Sequence, residues 1–116
     1  MAGRPAAPQR VMVDDIIDTA GTLAAGAKAL MDAGATDVYA AATHPVFSGE
    51  ALRRIDDSVL KEVVVTDTIA LPSGCCSDKI VQLSIGPLLG ESILHIIKDE
   101  PISQIFDQIT HRDERT

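Results

Sequence analysis

Three acidic residues near the start of the chain are followed by a run of small residues. Asp14 and Asp15 end a short apolar segment, and Asp18 follows after two isoleucines. The small residues come next, and they are Thr19, Ala20, Gly21 and Thr22. Carboxylates accept hydrogen bonds from sugar hydroxyls, and they are hard oxygen ligands for Mg²⁺, either directly or through water. Acids in this position would suit a sugar or a cation.

The small residues suit a different part of a ligand. Glycine lets the backbone approach a ligand closely, and Thr19 and Thr22 offer hydroxyl groups. The N–H groups in the first turn of a helix have no intrahelical partner, and such groups can bind phosphate. A ligand with a ribose in its middle and a phosphate at one end would satisfy both halves of the pattern. Ordinary α/β architecture would also explain a strand that ends in Asp before a capped helix, so the residues alone leave both interpretations open.

The elements that must position these residues are a strand before them and a helix after them. Residues 10–14 are dense in Val, which is typical of a buried strand. Residues 22–34 follow with apolar side chains on one face of a predicted helix, and these are Leu23, Ala27, Leu30 and Met31. Gly34 stands where a glycine commonly ends a helix. Asp14 and Asp15 would then lie at the carboxyl end of a strand, where open α/β sheets bind ligands.

The rest of the chain alternates between predicted strands and helices. Strands are predicted at 37–44, 62–67 and 79–85, and helices at 48–58 and 86–99. The side chain of Ser48 is expected to cap the first of these helices. Such alternation implies an α/β protein with a mostly parallel sheet and helices on both faces, in three layers. The domain is expected to cover residues 10–107, after a tag or irregular start at 1–9 and before a polar tail at 108–116.

Composition limits the class of protein. The chain has 116 residues, of which 46% are apolar, and this favours one folded domain. Seventeen acidic against ten basic residues give a net charge of −7, which argues against nucleic-acid binding because such proteins carry a basic surface. The adjacent Cys75 and Cys76 offer no disulfide framework, and no apolar run reaches the ~18 residues of a membrane span. The sequence therefore predicts a cytoplasmic protein with reduced thiols and no membrane segment.

The whole ordered string, an apolar run followed by D-D-x-x-D-T-A-G-T, resembles the phosphoribosyl-diphosphate binding signature of type I phosphoribosyltransferase-like proteins. Within that group the chain is most similar to the ribose-phosphate diphosphokinase family, also called phosphoribosyl pyrophosphate synthetases. Later segments resemble the C-terminal part of that family in the same order, and they are ATHPVFSGEALRRI, EVVVTDTIALP, QLSIGPLLGESI and ISQIF. The resemblance covers residues 10–106.

The resemblance implies an activity and a set of site residues. Members of the family transfer diphosphate from ATP to ribose 5-phosphate and form phosphoribosyl diphosphate for nucleotide biosynthesis, with Mg²⁺ and as homo-oligomers. Asp14 and Asp15 would contact the ribose hydroxyls and Mg²⁺. The loop that holds the 5-phosphate would consist of Asp18, Thr19, Ala20, Gly21 and Thr22. Ser103 and Phe106 would belong to a regulatory site for a phosphate or nucleotide, although Pro101 stands where the family usually has a serine.

The resemblance also predicts that the chain is a C-terminal fragment or a truncated gene product. The family's other half supplies the ATP-binding loops and the basic residues over the phosphates, and neither is recognisable in this sequence. The chain alone is therefore expected not to synthesise phosphoribosyl diphosphate. Two other functions stay open: a non-catalytic subunit that assembles with a full-length partner, and another phosphoribosyltransferase or a regulator that senses phosphoribosyl diphosphate.

Other polar residues are expected to have mainly structural roles. His44 ends the second predicted strand, and a single His is more often structural than catalytic. Thr66 and Asp67 end the third strand on the same side of the sheet as the acids, where a simple turn explains them better than a place at the rim of a site. Arg53 and Arg54 are expected to form a solvent-exposed helix surface.

Overall fold

The computed structural model describes residues 8–75 and 77–114, and the chain divides into two compact units, one ending at Leu83 and one beginning at Ser84. The first unit contains, in chain order, β1 (Gln9–Ile17), α1 (Gly21–Asp32), β2 (Asp37–Pro45), α2 (Ala51–Asp57), β3 (Leu60–Thr66) and β4 (Ile80–Leu83). The second unit contains α3 (Gly86–Ile97) and α4 (Ser103–Glu114). No helix in the described ranges is long and apolar enough to cross a membrane.

The described strands of the first unit form one parallel sheet in the order β1-β2-β3-β4. The α/β class with a parallel sheet, predicted from the sequence, is confirmed. Consecutive strands are neighbours, and parallel crossovers are right-handed. For this reason α1 and α2 pack on the same face of the sheet, where they contact each other. The further prediction, that helices also cover the second face of the sheet to give three layers, stays a prediction.

The core of the first unit lies between the sheet and these two helices. Side chains of β2 and β3 alternate in their burial, and Val38 and Val63 lie on the buried face. Ile55 of α2 is completely buried in the same cluster, which stabilises the fold by about 2–3 kcal/mol. On the opposite face Val13 is 81% exposed within this unit. The buried face of the sheet is therefore the one that determines how α1 and α2 dock.

The predicted apolar face of α1 is confirmed. Ala27 is completely buried, and the other predicted members, Leu23, Leu30 and Met31, pack partly buried against the core. Gly26 leaves room for the end of the Met12 side chain, because a Cβ built at Gly26 would lie only 2.6 Å from Cε of Met12. Gly34, with φ of 108°, follows the end of the helix as predicted.

Two local features of the first unit differ from the expectation. Parallel pairing of β1 with β2 continues as far as Ile17, so Asp14 and Asp15 lie inside β1 rather than at its end. The Ser48 side chain does not cap α2, because its hydroxyl donates a hydrogen bond to the carboxylate of Asp18 instead. Cys75 is a free thiol, while the predictions for Cys76 and for residues 1–7 fall outside the described residues.

The second unit is a pair of helices joined by a tight turn. Pro87 lies in the first turn of α3, where its missing N–H is not needed. After α3 ends, Asp99 adopts a φ of 58°, and the N–H of Glu100 donates to the carbonyl of His95 at 2.8 Å. This left-handed turn ends the helix, and Pro101 follows beyond it.

α4 is longer than the expected turn. The helix begins at Ser103, inside the short turn predicted at 102–106. It continues to Glu114, well into the segment expected to be a polar tail. Ile105 is only 2% exposed, and α4 contacts α3. The apolar contact stabilises a helix that the polar composition of the last residues does not predict.

Candidate functional site

A short loop joins β1 to α1, and a cavity of about 320 Å³ lies beside it. This volume falls at the lower end of the range for small-molecule sites. The predicted site residues that line the cavity are Asp14, Asp18, Thr19, Ala20, Gly21 and Thr22. Asp15 is a predicted site residue that does not belong to the described lining of this cavity. The fold thus brings the predicted phosphate loop and one acid of the pair into a single concave site.

The start of α1 has no side-chain cap. Ala20, the residue before the helix, adopts the left-handed conformation with φ of 66° and is 5% exposed. The first turn of α1 also carries no acidic side chain. Its N–H groups therefore have neither carbonyl partners within the helix nor a cap. A bound anion would satisfy them and would interact favourably with the helix dipole.

The chain segment that leads into α2 holds the backbone of this loop. The N–H of Phe47 donates to the carbonyl of Ile17 at 3.0 Å. The N–H of Ser48 donates to the carbonyl of Asp18, also at 3.0 Å. The Ser48 hydroxyl donates in addition to the Asp18 carboxylate. The loop is therefore fixed through both its backbone and its acidic side chain.

The two adjacent arginines of α2 have different roles. Arg54 Nη1 donates to the carbonyl of Thr19 at 3.0 Å, and it lies 3.7 Å from the position that a Cβ on Gly21 would take. Arg53 forms an exposed ion pair with Glu50 at 2.7 Å. Both arginines are exposed, as expected, but Arg54 also contacts the loop, because successive residues of a helix point in different directions.

Asp14 and Asp15 interact with each other. The N–H of Asp15 donates to a carboxylate oxygen of Asp14 at 2.7 Å. A side-chain hydrogen bond with Asp14 is the main cause that lowers the pKa of the Asp15 carboxyl below its ordinary value. Hydrogen bonds from the backbone and the nearby charge of His44 lower this pKa further. Asp15 is therefore a charged carboxylate at neutral pH.

The donor set at this site suits Mg²⁺ only when a ligand completes it. The described residues contain no group of three or more His, Cys, Asp or Glu side chains that could hold a metal ion. Asp14 and Asp15 provide two neighbouring carboxylates. Mg²⁺ commonly binds one or two carboxylates and takes its other oxygens from water and from substrate phosphates. The two acids fit a cation of this kind.

A hydroxyl cluster lies beside the acids, where β2 and β3 end. His44 Nδ1 is 2.8 Å from Thr68 Oγ1. The hydroxyls of Thr66 and Thr68 both donate to the carbonyl of Thr43, at 2.6 and 3.2 Å. These bonds tie the ends of the two strands together, which agrees with the structural role expected for His44 and with a turn at Thr66.

Ser103 and Phe106, the predicted regulatory residues, both belong to α4 of the second unit. Ser103 is the first residue of that helix, and Phe106 is 59% exposed within the unit. A regulatory role for these residues stays a prediction. The site of the first unit is built from β1, α1 and the start of α2, without either residue.

Parallel strands with a loop of small residues between β1 and α1 define the class of the protein: an α/β domain with a candidate anion site at the start of a helix. The chain matches the phosphoribosyl synthetase-associated domain over residues 2–107, and it belongs to that family.

Curated relatives share the same sequence features. A ribose-phosphate pyrophosphokinase of Listeria ivanovii is 50% identical over 97 residues, which is 84% of this chain and 30% of that protein. A ribose-phosphate pyrophosphokinase of Bacillus caldolyticus is 48% identical over 107 residues, which is 92% of this chain and 34% of that protein. The chain thus spans about a third of the length of these relatives.

A solved structure has the same fold. Phosphoribosylpyrophosphate synthetase from Mycobacterium smegmatis superimposes with a TM-score of 0.76 and 35% sequence identity. The match covers 80% of this chain and 31% of that protein.

Proposed function

We propose that this chain corresponds to the C-terminal part of a ribose-phosphate pyrophosphokinase and carries its ribose 5-phosphate site. The observation that supports the proposal most directly is the cavity of about 320 Å³ where the uncapped start of α1 meets Asp14. The N–H groups and hydroxyls of residues 18–22 bind the 5-phosphate. Asp14 and Asp15 accept hydrogen bonds from the ribose hydroxyls.

Mg²⁺ is part of this proposal. Asp14 and Asp15 would hold the ion, which would supply positive charge next to the phosphorylated sugar. The two carboxylates would otherwise repel the phosphate of the same ligand, since the chain as a whole has a net charge of −7. The affinity for ribose 5-phosphate therefore depends on Mg²⁺.

The activity of the whole protein is proposed from the names of its relatives. Ribose-phosphate pyrophosphokinase activity transfers a diphosphoryl group from ATP to the 1-hydroxyl of ribose 5-phosphate, and AMP leaves. The resulting phosphoribosyl diphosphate serves nucleotide biosynthesis in the cytoplasm. In this reaction the role of the site described above is to orient the sugar. It holds ribose 5-phosphate at both ends, so that the 1-hydroxyl faces ATP. Homo-oligomerisation of the whole protein belongs to the same proposal.

Calorimetric titration of the purified chain with ribose 5-phosphate tests the proposed site. We expect saturable binding with Mg²⁺ and weaker binding without it. Replacing Asp14 by Asn is expected to weaken binding in Mg²⁺ by about tenfold, since one charged partner of the sugar and the cation is lost.

The matched control is Asp32→Asn, which removes an exposed acid at the last residue of α1, away from the cavity lining. This variant is expected to bind as the wild type does. Absence of binding to the folded wild-type chain would contradict the proposed site. An equal loss of affinity in both variants would show that the effect of Asp14 arises only from overall charge.

A further inference from the structure

The loop between β1 and α1 is held by hydrogen bonds from a distant part of the chain. The carbonyls of Ile17, Asp18 and Thr19 each accept a bond from the segment between Phe47 and Arg54. All three bonds are 3.0 Å long. Successive carbonyls are therefore directed toward the same neighbouring segment.

This arrangement also determines the direction of the loop's N–H groups. In a trans peptide the C=O and the following N–H point in opposite directions, and the described residues contain no cis peptide bond. Because the carbonyls of residues 17–19 are held toward the α2 segment, the N–H groups of Asp18, Thr19 and Ala20 point away from it. Successive N–H groups that lead into a left-handed residue form a concave anion site.

Two residues with positive φ lie at this contact. Ala20 has a φ of 66° and Phe47 a φ of 49°, and both are at most 5% exposed. A left-handed conformation is costly for a residue with a Cβ. Such conformations persist where surrounding contacts determine them, and they concentrate at ligand-binding sites. The backbone on both sides of the contact is thus held in a shape that neither segment prefers by itself.

Side chains from the α2 segment also offset the negative charge of the loop. Asp18 lies in the cavity lining, where a free carboxylate would repel a phosphate. The Ser48 hydroxyl donates to this carboxylate, and the guanidinium of Arg54 binds the adjacent Thr19 carbonyl. A hydroxyl donor and a cation therefore offset the negative charge next to the loop.

We propose that Ser48 and Arg54 are positioning residues that hold the Asp18–Thr22 loop ready for a phosphate group before the ligand binds. This inference rests on the proposed function, in which that loop binds the 5-phosphate. Neither residue needs to touch the phosphate. Both act through the carbonyl and carboxylate oxygens of the loop.

Arginine variants of α2 separate positioning from simple stability. Arg54→Met removes the bond to Thr19, whereas Arg53→Met is the matched control because Arg53 contacts only the exposed Glu50 among the described bonds. In Mg²⁺, Arg54→Met is expected to weaken ribose 5-phosphate binding about tenfold, and Arg53→Met is expected to leave it unchanged. Arg54→Lys keeps a donor for the Thr19 carbonyl and is expected to recover part of the affinity. Ser48→Ala is expected to weaken binding in the same direction.

Amide hydrogen exchange of the unliganded chain provides the readout that does not depend on the ligand. Exchange at the amides of Phe47 and Ser48, which donate to the loop carbonyls of Ile17 and Asp18, is expected to accelerate in Arg54→Met and Ser48→Ala but not in Arg53→Met, while the strand amides of β2 and β3 keep their protection. Unchanged exchange at the amides of Phe47 and Ser48 in Arg54→Met and Ser48→Ala would overturn the positioning role. Faster exchange throughout the first unit would also overturn it, since the residues would then serve overall stability.

The two experiments distinguish failure of this inference from failure of the proposed function. If the wild-type chain binds no ribose 5-phosphate, the proposed function fails, and the exchange data still decide whether Ser48 and Arg54 hold the loop. If the wild type binds and Arg54→Met binds equally well, the proposed function survives and the positioning role is wrong.

Discussion

At the scale of single residues, the adjacent acids have unequal environments. Asp14 lines the cavity, whereas Asp15 does not belong to its described lining and has its pKa lowered mainly by a hydrogen bond with Asp14. The nearby His44 adds to this effect. The lowered pKa keeps Asp15 negatively charged in the pH range where the protein would bind a phosphorylated sugar.

The lowered pKa of Asp15 leads to a prediction about pH. Its carboxylate persists as the pH falls and takes up a proton only when the pH drops through that lowered pKa, beneath the ordinary range of an aspartate. The ligand's phosphate takes up a proton nearer pH 6. We expect the affinity of the wild type for ribose 5-phosphate to decline between about pH 7 and pH 5, following the phosphate. The ratio of wild-type to Asp15→Asn affinity should stay constant over that range, because both proteins share the titration of the ligand.

Calorimetry at a series of pH values in Mg²⁺ provides this ratio. A ratio that falls steadily from about pH 7 to pH 5 would mean that Asp15 titrates in that range, contrary to a lowered pKa.

At the scale of elements, the connection between β3 and β4 supports the end of α2. Lys79 Nζ lies 3.3, 3.0 and 2.8 Å from the carbonyls of Ile55, Asp56 and Ser58. These carbonyls lie at the C-terminal end of α2, where a cation is favourable. α2 also carries Arg54, so the connection helps to determine where that arginine lies.

Lys79→Met is therefore expected to lower the free energy of unfolding by about 1–2 kcal/mol, since it leaves carbonyl groups at the helix end without their charged donor. The control is Lys61→Met, which removes a lysine that is 60% exposed and forms an ion pair with Asp37 at 3.7 Å. That variant is expected to change the free energy of unfolding by less than about 1 kcal/mol. Chemical denaturation followed by circular dichroism measures both values, and equal effects would contradict the capping role of Lys79.

At the scale of the whole molecule, the two faces of the sheet differ in the first unit. Val63 of β3 is completely buried against the helices, whereas Val11 of β1 is 61% exposed within the unit. α1 and α2 cover one face because the strand order is sequential. The stability of the unit therefore depends on one face of the sheet.

A matched pair of substitutions tests this difference. Val63→Thr places a hydroxyl in the core with almost no change of volume, and we expect it to lower the free energy of unfolding by about 1–3 kcal/mol. Val11→Thr makes the same chemical change on the exposed face, and we expect an effect within about 0.5 kcal/mol. Denaturant unfolding of the two variants would contradict the described core if Val11→Thr were the more damaging one.

Local patterns in the sequence predicted the elements and the site motif. Val-rich segments indicated β1 and β3, and the apolar spacing of residues 23–31 indicated α1, because both patterns depend on neighbours within a few positions. The order of small residues after Asp18 indicated the anion loop for the same reason. The left-handed Ala20 was not predicted, since it follows loop residues whose carbonyls are held by Phe47 and Ser48 from a distant part of the chain.

The tertiary structure alone decided how the loop is held. Ser48 is 30 residues from Asp18 along the chain, and Arg54 is 35 residues from Thr19. The sequence predicts two exposed arginines and does not show that one of them also reaches the loop, so only the packing of α2 against α1 decides that Arg54 contacts Thr19. The strand order β1-β2-β3-β4 was decided at the same level, because it depends on pairings between segments far apart in the chain.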